Sequence, residues 1–155
     1  MIKIVAVGKI KEKALKTLIA EYQKRLSSYT KLLIIEVDDE MLIDDDMINK
    51  AIQVEGERIL KQIKEREYVI LLDLGGEMID SVTLAKQIQE LNTYGRSDIT
   101  FIIGGSVGVS DKVKARADLK WQLSKLTFTH QHVRLLVLEQ IYRAYKINNN
   151  ETYHK

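Results

Sequence analysis

The apolar run Ile99-Thr100-Phe101-Ile102-Ile103, broken at once by Gly104-Gly105-Ser106-Val107-Gly108, constrains this chain more than any other segment. Such a run reads as a buried strand, and glycines directly after it let backbone amides and carbonyls approach a ligand with no Cβ in the way. In open α/β sheets ligands bind beyond the carboxyl ends of the strands, where this break stands. Taken alone, the segment is equally a tight turn. It is neither a dinucleotide fingerprint nor a phosphate loop: the Gly-x-Gly spacing and the Lys-Ser/Thr pair are absent, and it does not follow the first strand.

The rest of the chain alternates strand and helix patterns. Apolar β-rich runs bounded by Gly, Asp or Ser predict strands at Ile2 to Val7, Leu32 to Val37, Tyr68 to Asp73, Ile99 to Ile103 and Leu119 to Leu123. Helical spacing predicts helices at Glu12 to Tyr29, Asp46 to Lys64, Val82 to Tyr94, Asp111 to Ala117 and Gln131 to Ile147. Leu15, Leu18, Ile19, Tyr22 and Leu26 share a face of the first, and Ile48, Ile52, Ile59 and Ile63 a face of the second. Ser81 is the expected N-cap of the third, and Asp73-Leu74-Gly75-Gly76 the expected turn after the third strand. The order implies an α/β fold, a mostly parallel sheet with helices on both faces.

A chain of 155 residues is the size of one domain and buries a core without staples. No apolar run approaches the ~20 residues that span a bilayer, and the start lacks a signal-peptide pattern. The chain has no cysteine, so disulfides, thiolate nucleophiles and Cys-based zinc sites are excluded, and the expected location is cytoplasmic. Residues 120–155 carry six basic and two acidic side chains, whereas the remainder is slightly acidic. That basic end suits phosphates, and equally a solvated helix face. Six of the nine residues from Asp38 to Asp46 are acidic, but Asp44, Asp45 and Asp46 stand where a helix begins, which its amino-terminal dipole explains better than a metal. His130-x-His132 lacks the Cys or carboxylate partners of a zinc site, so no metal is expected.

Several short motifs run in order along the chain: Val5-Ala6-Val7-Gly8-Lys9, Glu21-Tyr22-x-Lys24-Arg25-Leu26, Glu55-Gly56-Glu57-Arg58-Ile59-Leu60 and Ile103-Gly104-Gly105-Ser106-x-Gly108. They continue with Leu123-Ser124-Lys125-Leu126-Thr127-Phe128, Val133-Arg134, Glu139-Gln140-x-Tyr142-Arg143-Ala144 and Tyr153-His154-Lys155. Together they resemble the ribosomal RNA large subunit methyltransferase H family over essentially the whole chain. The resemblance implies a SPOUT-class enzyme with a carboxyl-terminal trefoil knot, a homodimer that uses S-adenosylmethionine to methylate N3 of a pseudouridine in a stem-loop of 23S ribosomal RNA. DNA and membranes are not implied as partners. It assigns cofactor binding to Leu72, Gly104, Leu123, Ser124, Lys125, Leu126, Thr127 and Phe128. Thr129 departs from the proline usual before the histidine, which raises the expectation of a looser second loop.

The residue chemistry fits that implication. Leu72, Leu123, Leu126 and Phe128 offer apolar walls, and methyl transfer needs chiefly alignment. The N3 proton must leave, which calls for a base or for stabilisation of charge on the ring carbonyls; His130, His154 and Arg143 are the catalytic candidates. Tyr153, His154 and Lys155 are the candidate RNA contacts, an aromatic, a titratable ring and a cation. By composition the tail from Asn148 to Lys155 is a frayed end; the functional reading folds it against the cofactor loops. Leu135, Leu138, Tyr142 and Tyr145 lie off the helix face set by Val133, Leu136, Val137 and Ile141, which predicts a second covering surface and hence a dimer. The competing classes are an enzyme using another nucleotide and a noncatalytic RNA-binding or ribosome-associated dimer.

Overall fold

A computed structural model describes residues 1–155. The elements are β1 (Ile2–Val7), α1 (Lys13–Leu26), β2 (Leu32–Val37), a 3-10 turn (Asp45–Met47), α2 (Ile48–Leu60), β3 (Tyr68–Met78), α3 (Ser81–Thr93), β4 (Ile99–Ile103), α4 (Asp111–Arg116), β5 (Leu119–Gln122) and α5 (His130–Asn148). The five strands form one sheet in the order β2-β1-β4-β3-β5, and every pairing is parallel. No helix is long and apolar enough to cross a membrane.

Alternation along the strands divides the core in two. Ile2, Ile4, Ala6, Ile70, Phe101 and Ile103 face one way, onto Leu15 and Ile19 of α1, Leu84 and Ile88 of α3, and Val137 and Ile141 of α5. Val5, Val7, Val69, Leu71 and Ile102 face the other way, onto Ile59 of α2 and Val113 of α4. Covered on both sides, β1 and β4 read as unbroken apolar runs. One polar group is sealed inside the second layer: Lys3 Nζ lies 2.6 Å from Glu67 Oε1 and donates to the Gln62 carbonyl at 2.8 Å, while Thr100 Oγ1 donates to Glu67 Oε2 at 2.9 Å.

Four local expectations are corrected. Asp73-Leu74-Gly75-Gly76 is not a turn ending β3; Leu72 and Glu77 both pair with Trp121, so the segment bulges out and rejoins the ladder. Glycine is demanded there, because a Cβ on Gly76 would lie 2.5 Å from the Lys120 carbonyl carbon. Asp80, not Ser81, caps α3, its carboxylate accepting from Thr83 N at 2.7 Å. Leu18 and Leu136 are exposed, since the stripes of α1 and α5 that meet the sheet are narrower than the sequence pattern. The off-face residues Leu138 and Tyr142 are buried within the chain itself, because α5 packs between α1 and α3, so apolarity on two sides of α5 does not by itself require a partner.

Replacing Lys3 with Met strands the Glu67 carboxylate, whose side chain is 2% exposed, in the apolar layer. The expected loss is about 3 kcal/mol, read as a lower urea midpoint at unchanged slope. Combining it with Glu67→Leu should recover most of that loss.

Candidate active site

The carboxyl ends of β3, β4 and β5 open on one side of the sheet, and the segments leaving them enclose a cavity of about 600 Å³. That volume falls in the range of small-molecule sites. The walls include the β3 bulge, the glycine segment after β4 and the loop between β5 and α5. Leu72, Gly104, Leu123, Ser124, Leu126, Thr127 and Phe128, positions to which the resemblance assigns cofactor binding, all line it. Lys125 does not; its side chain is exposed on the outside of the same loop. Asp73, Trp121, Val133 and Lys114 also line the cavity and escaped the sequence reading, because they belong to four different elements with no common motif.

The glycine loop is shaped by its backing. A Cβ on Gly104 would come within 2.6 Å of Val109 Cγ1, and one on Gly105 within 3.1 Å of both Glu55 Oε1 and Val7 Cγ1. The loop therefore lies flat against β1 and α2 and presents backbone to the cavity. Behind it Glu55 is buried, with Oε2 accepting from Glu40 N at 2.9 Å and Oε1 unpartnered; burial holds this carboxyl above its ordinary range. On the opposite wall the indole N–H of Trp121 has no acceptor, which leaves a polar hold beside an otherwise apolar lining.

The second loop is firmer than its missing proline suggests. Thr129 has φ −61°, the value proline would impose, and its hydroxyl accepts from His132 N at 3.3 Å, capping α5. Its Oγ1 also meets His132 Nδ1 at 2.6 Å, so His132 belongs to the cap and the His-x-His pair does not converge. His130, the first residue of α5, is half-buried and lines the cavity. Desolvation, with Arg134 nearby adding to it, lowers its pKa, so the ring is neutral at neutral pH.

His130 is placed by a buried cation. The Arg134 side chain is 2% exposed, its Nη1 lies 2.6 Å from Glu36 Oε2, and its Nη2 donates to the Gly8 carbonyl at 3.0 Å. Glu36 Oε2 also accepts from Ile10 N at 3.3 Å, and Gln131 Oε1 from Lys11 N at 3.4 Å. The start of α5 is thereby tied to the end of β1 and the loop that follows it.

The tail is ordered rather than frayed, yet it does not lie on the cofactor loops. Tyr153 stacks edge-on to Tyr142 at 4.9 Å and donates to Glu139 Oε1 at 3.0 Å, and Arg143 sits 4.8 Å over its ring. Arg143 also pairs with Glu139 at 2.6 Å and meets His154 Nδ1 at 3.1 Å. None of Arg143, Tyr153, His154 and Lys155 lines the cavity. Thirteen residue steps of helix lead from His130 to Arg143, about 20 Å along the axis. One chain thus divides the catalytic candidates between two places.

The chain matches the family model described as "Predicted SPOUT methyltransferase" over residues 1–154. It is 50% identical to "Ribosomal RNA large subunit methyltransferase H" of Lactobacillus acidophilus over 157 residues, and 52% identical to the protein of that name from Clostridium novyi over 159 residues; each match covers 99% of both chains. Among solved structures, the tRNA (m1G37) methyltransferase of Aquifex aeolicus superposes with a TM-score of 0.50 at 16% identity, covering 92% of this chain and 69% of that one, which is a likeness of fold.

The His130 ring should titrate below the ordinary 6.5, an outcome that NMR of its ring protons reads directly. The folded chain then holds fewer protons on this ring than the unfolded one between the two pKa values. Its contribution to stability is complete above 6.5 and is lost as pH falls through the lowered value. The urea midpoint should therefore drop more between about pH 7 and about pH 5 in the unaltered protein than in His130→Gln.

Proposed function

The chain belongs to the SPOUT methyltransferase family, and from that premise we propose that it transfers the methyl group of S-adenosylmethionine to N3 of a pseudouridine in a stem-loop of 23S ribosomal RNA. The observation that carries the reading is the cavity enclosed by the two loops, largely apolar in its walls, with a neutral histidine among them. Bound there, the cofactor supplies an electrophilic methyl carbon on a sulfonium sulfur. Backbone groups of the glycine segment and of Leu123–Phe128 would hold the nucleoside, while Leu72, Leu126 and Phe128 would exclude water around it. The protein's main contribution is alignment of the target nitrogen with that methyl. The His130 imidazole, unprotonated and against the cavity, would accept the N3 proton of a pseudouridine held there. With the family reading goes a carboxyl-terminal trefoil knot, and the substrate places the enzyme in the cytoplasm.

The second half of the site comes from a second copy. Exposed Leu74 and Leu126 sit at the cavity, and exposed Val82 and Leu136 flank the Ser81–Gln140 hydrogen bond of 2.6 Å that joins α3 to α5. An exposed apolar surface beside a site marks an interaction face. In the homodimer, Arg143, Tyr153, His154 and Lys155 of one protomer, about 20 Å along α5 from their own His130, serve the other protomer's cavity and its RNA.

Incubation with radiolabelled S-adenosylmethionine and ribosomes lacking the modification should label 23S ribosomal RNA. RNA binding without label would instead favour the noncatalytic dimer. Gly104→Val should weaken S-adenosylmethionine binding by more than about tenfold, read by calorimetry on the folded variant, because the loop must shift from Val109 into the cavity. Deleting Tyr153 to Lys155 should abolish transfer while leaving cofactor affinity and dimer mass intact. Mixing that deletion with His130→Gln should restore part of the activity, since the mixed dimer holds one complete site; no restoration counts against the shared arrangement.

A further inference from the structure

An acidic and a basic side chain line the cavity, Asp73 and Lys114. Lys114 is half-buried on α4, and its ammonium makes neither an ion pair nor a hydrogen bond. The other cations of α4 are engaged: Lys112 pairs with Glu57 at 3.1 Å and Arg116 with Asp118 at 3.4 Å. A cation held partly out of water beside an apolar cavity lacks compensation until an anion enters, and a carboxylate there forms a charge-assisted hydrogen bond.

We propose that the Lys114 ammonium binds the α-carboxylate at the amino-acid end of the cofactor, an assignment that rests on the cofactor reading above. The lysine approaches the cavity from the sheet face covered by α2 and α4, whereas α5, Arg143 and the tail lie on the opposite face. Asp73 accepts from Gly75 N through Oδ1 at 3.0 Å and keeps its other oxygen for the cofactor's ammonium, so the two wall charges match a zwitterion. The remainder of the lining is neutral and recognises the nucleoside independently of Lys114.

Two ligands separate these parts. S-adenosylhomocysteine carries the amino-acid end, and 5′-methylthioadenosine lacks it. Calorimetry on the full chain with Lys114→Met should show S-adenosylhomocysteine affinity reduced roughly 10- to 100-fold, with 5′-methylthioadenosine affinity unchanged within about twofold. Lys114→Arg should recover most of the loss, and thermal unfolding should show all three proteins equally folded. Unchanged S-adenosylhomocysteine affinity in Lys114→Met overturns the proposal, as does an equal loss for both ligands, which would put the lysine on the nucleoside or the fold. Failure of the unaltered protein to bind either ligand overturns the cofactor reading and the lysine's role with it. Binding of both by the unaltered protein, without selective loss in the variant, overturns the lysine's role alone.

Discussion

The Arg134 guanidinium is the contact on which the candidate site depends. A buried ion pair seldom adds net stability, because desolvation offsets the attraction, and Glu36 is 38% exposed, which weakens the Coulomb term further. What Arg134 does is structural: it satisfies the Gly8 carbonyl where β1 ends and the chain turns at φ +86°, and through Glu36 it holds the Ile10 amide. The first turn of α5 cannot drift from the sheet without breaking these bonds. His130 and the Thr129 cap sit on that turn, so the position of the candidate base follows from a residue that does not itself line the cavity.

The two faces of the sheet then have separate duties. The α2–α4 face backs the glycine loop with Glu55, Val7 and Val109 and brings Lys114 to the cavity. The face covered by α1, α3 and α5 carries His130 and the aromatic end of the chain. The site is assembled from segments far apart in sequence, which leave β3, β4 and β5 on one side of the sheet.

Order in the tail has an equally specific cause. Asn149 Nδ2 donates to the Tyr145 carbonyl at 2.7 Å, closing α5, and Asn150 takes φ +54°, a left-handed conformation that asparagine tolerates. The chain therefore folds back, and Tyr153 meets Tyr142, which in turn contacts Tyr22 and Tyr29. Burial, with the bonds to neighbouring side chains adding to it, raises the Tyr153 phenol well above its ordinary range, so it remains a neutral donor to Glu139. Glu151, paired with Lys146 at 2.9 Å and with the Tyr29 hydroxyl at 2.8 Å, fastens the turn.

Much of this was legible in the sequence, because strand and helix periods report which side of an element meets the core. The five strands, their parallel class, the family and most of the cavity loop positions followed from local patterns and ordered motifs. The Asp73–Gly76 bulge was not legible, since two glycines before a charged residue spell a turn unless β5 lies alongside to be rejoined. Nor was the cap at Asp80, one residue before an equally suitable serine. Asn148 to Asn150 carry no helical pattern, yet Asn148 ends α5 with its side chain on the Ala85 carbonyl, and Asn149 and Asn150 turn the chain back onto partners that only the tertiary structure supplies. The division of His130 from Arg143 and His154 depends on the straight length of α5, and the unpaired state of Lys114 on what surrounds it in space. Sequence thus determined the elements, whose causes are local, while tertiary structure decided the contacts between residues remote along the chain.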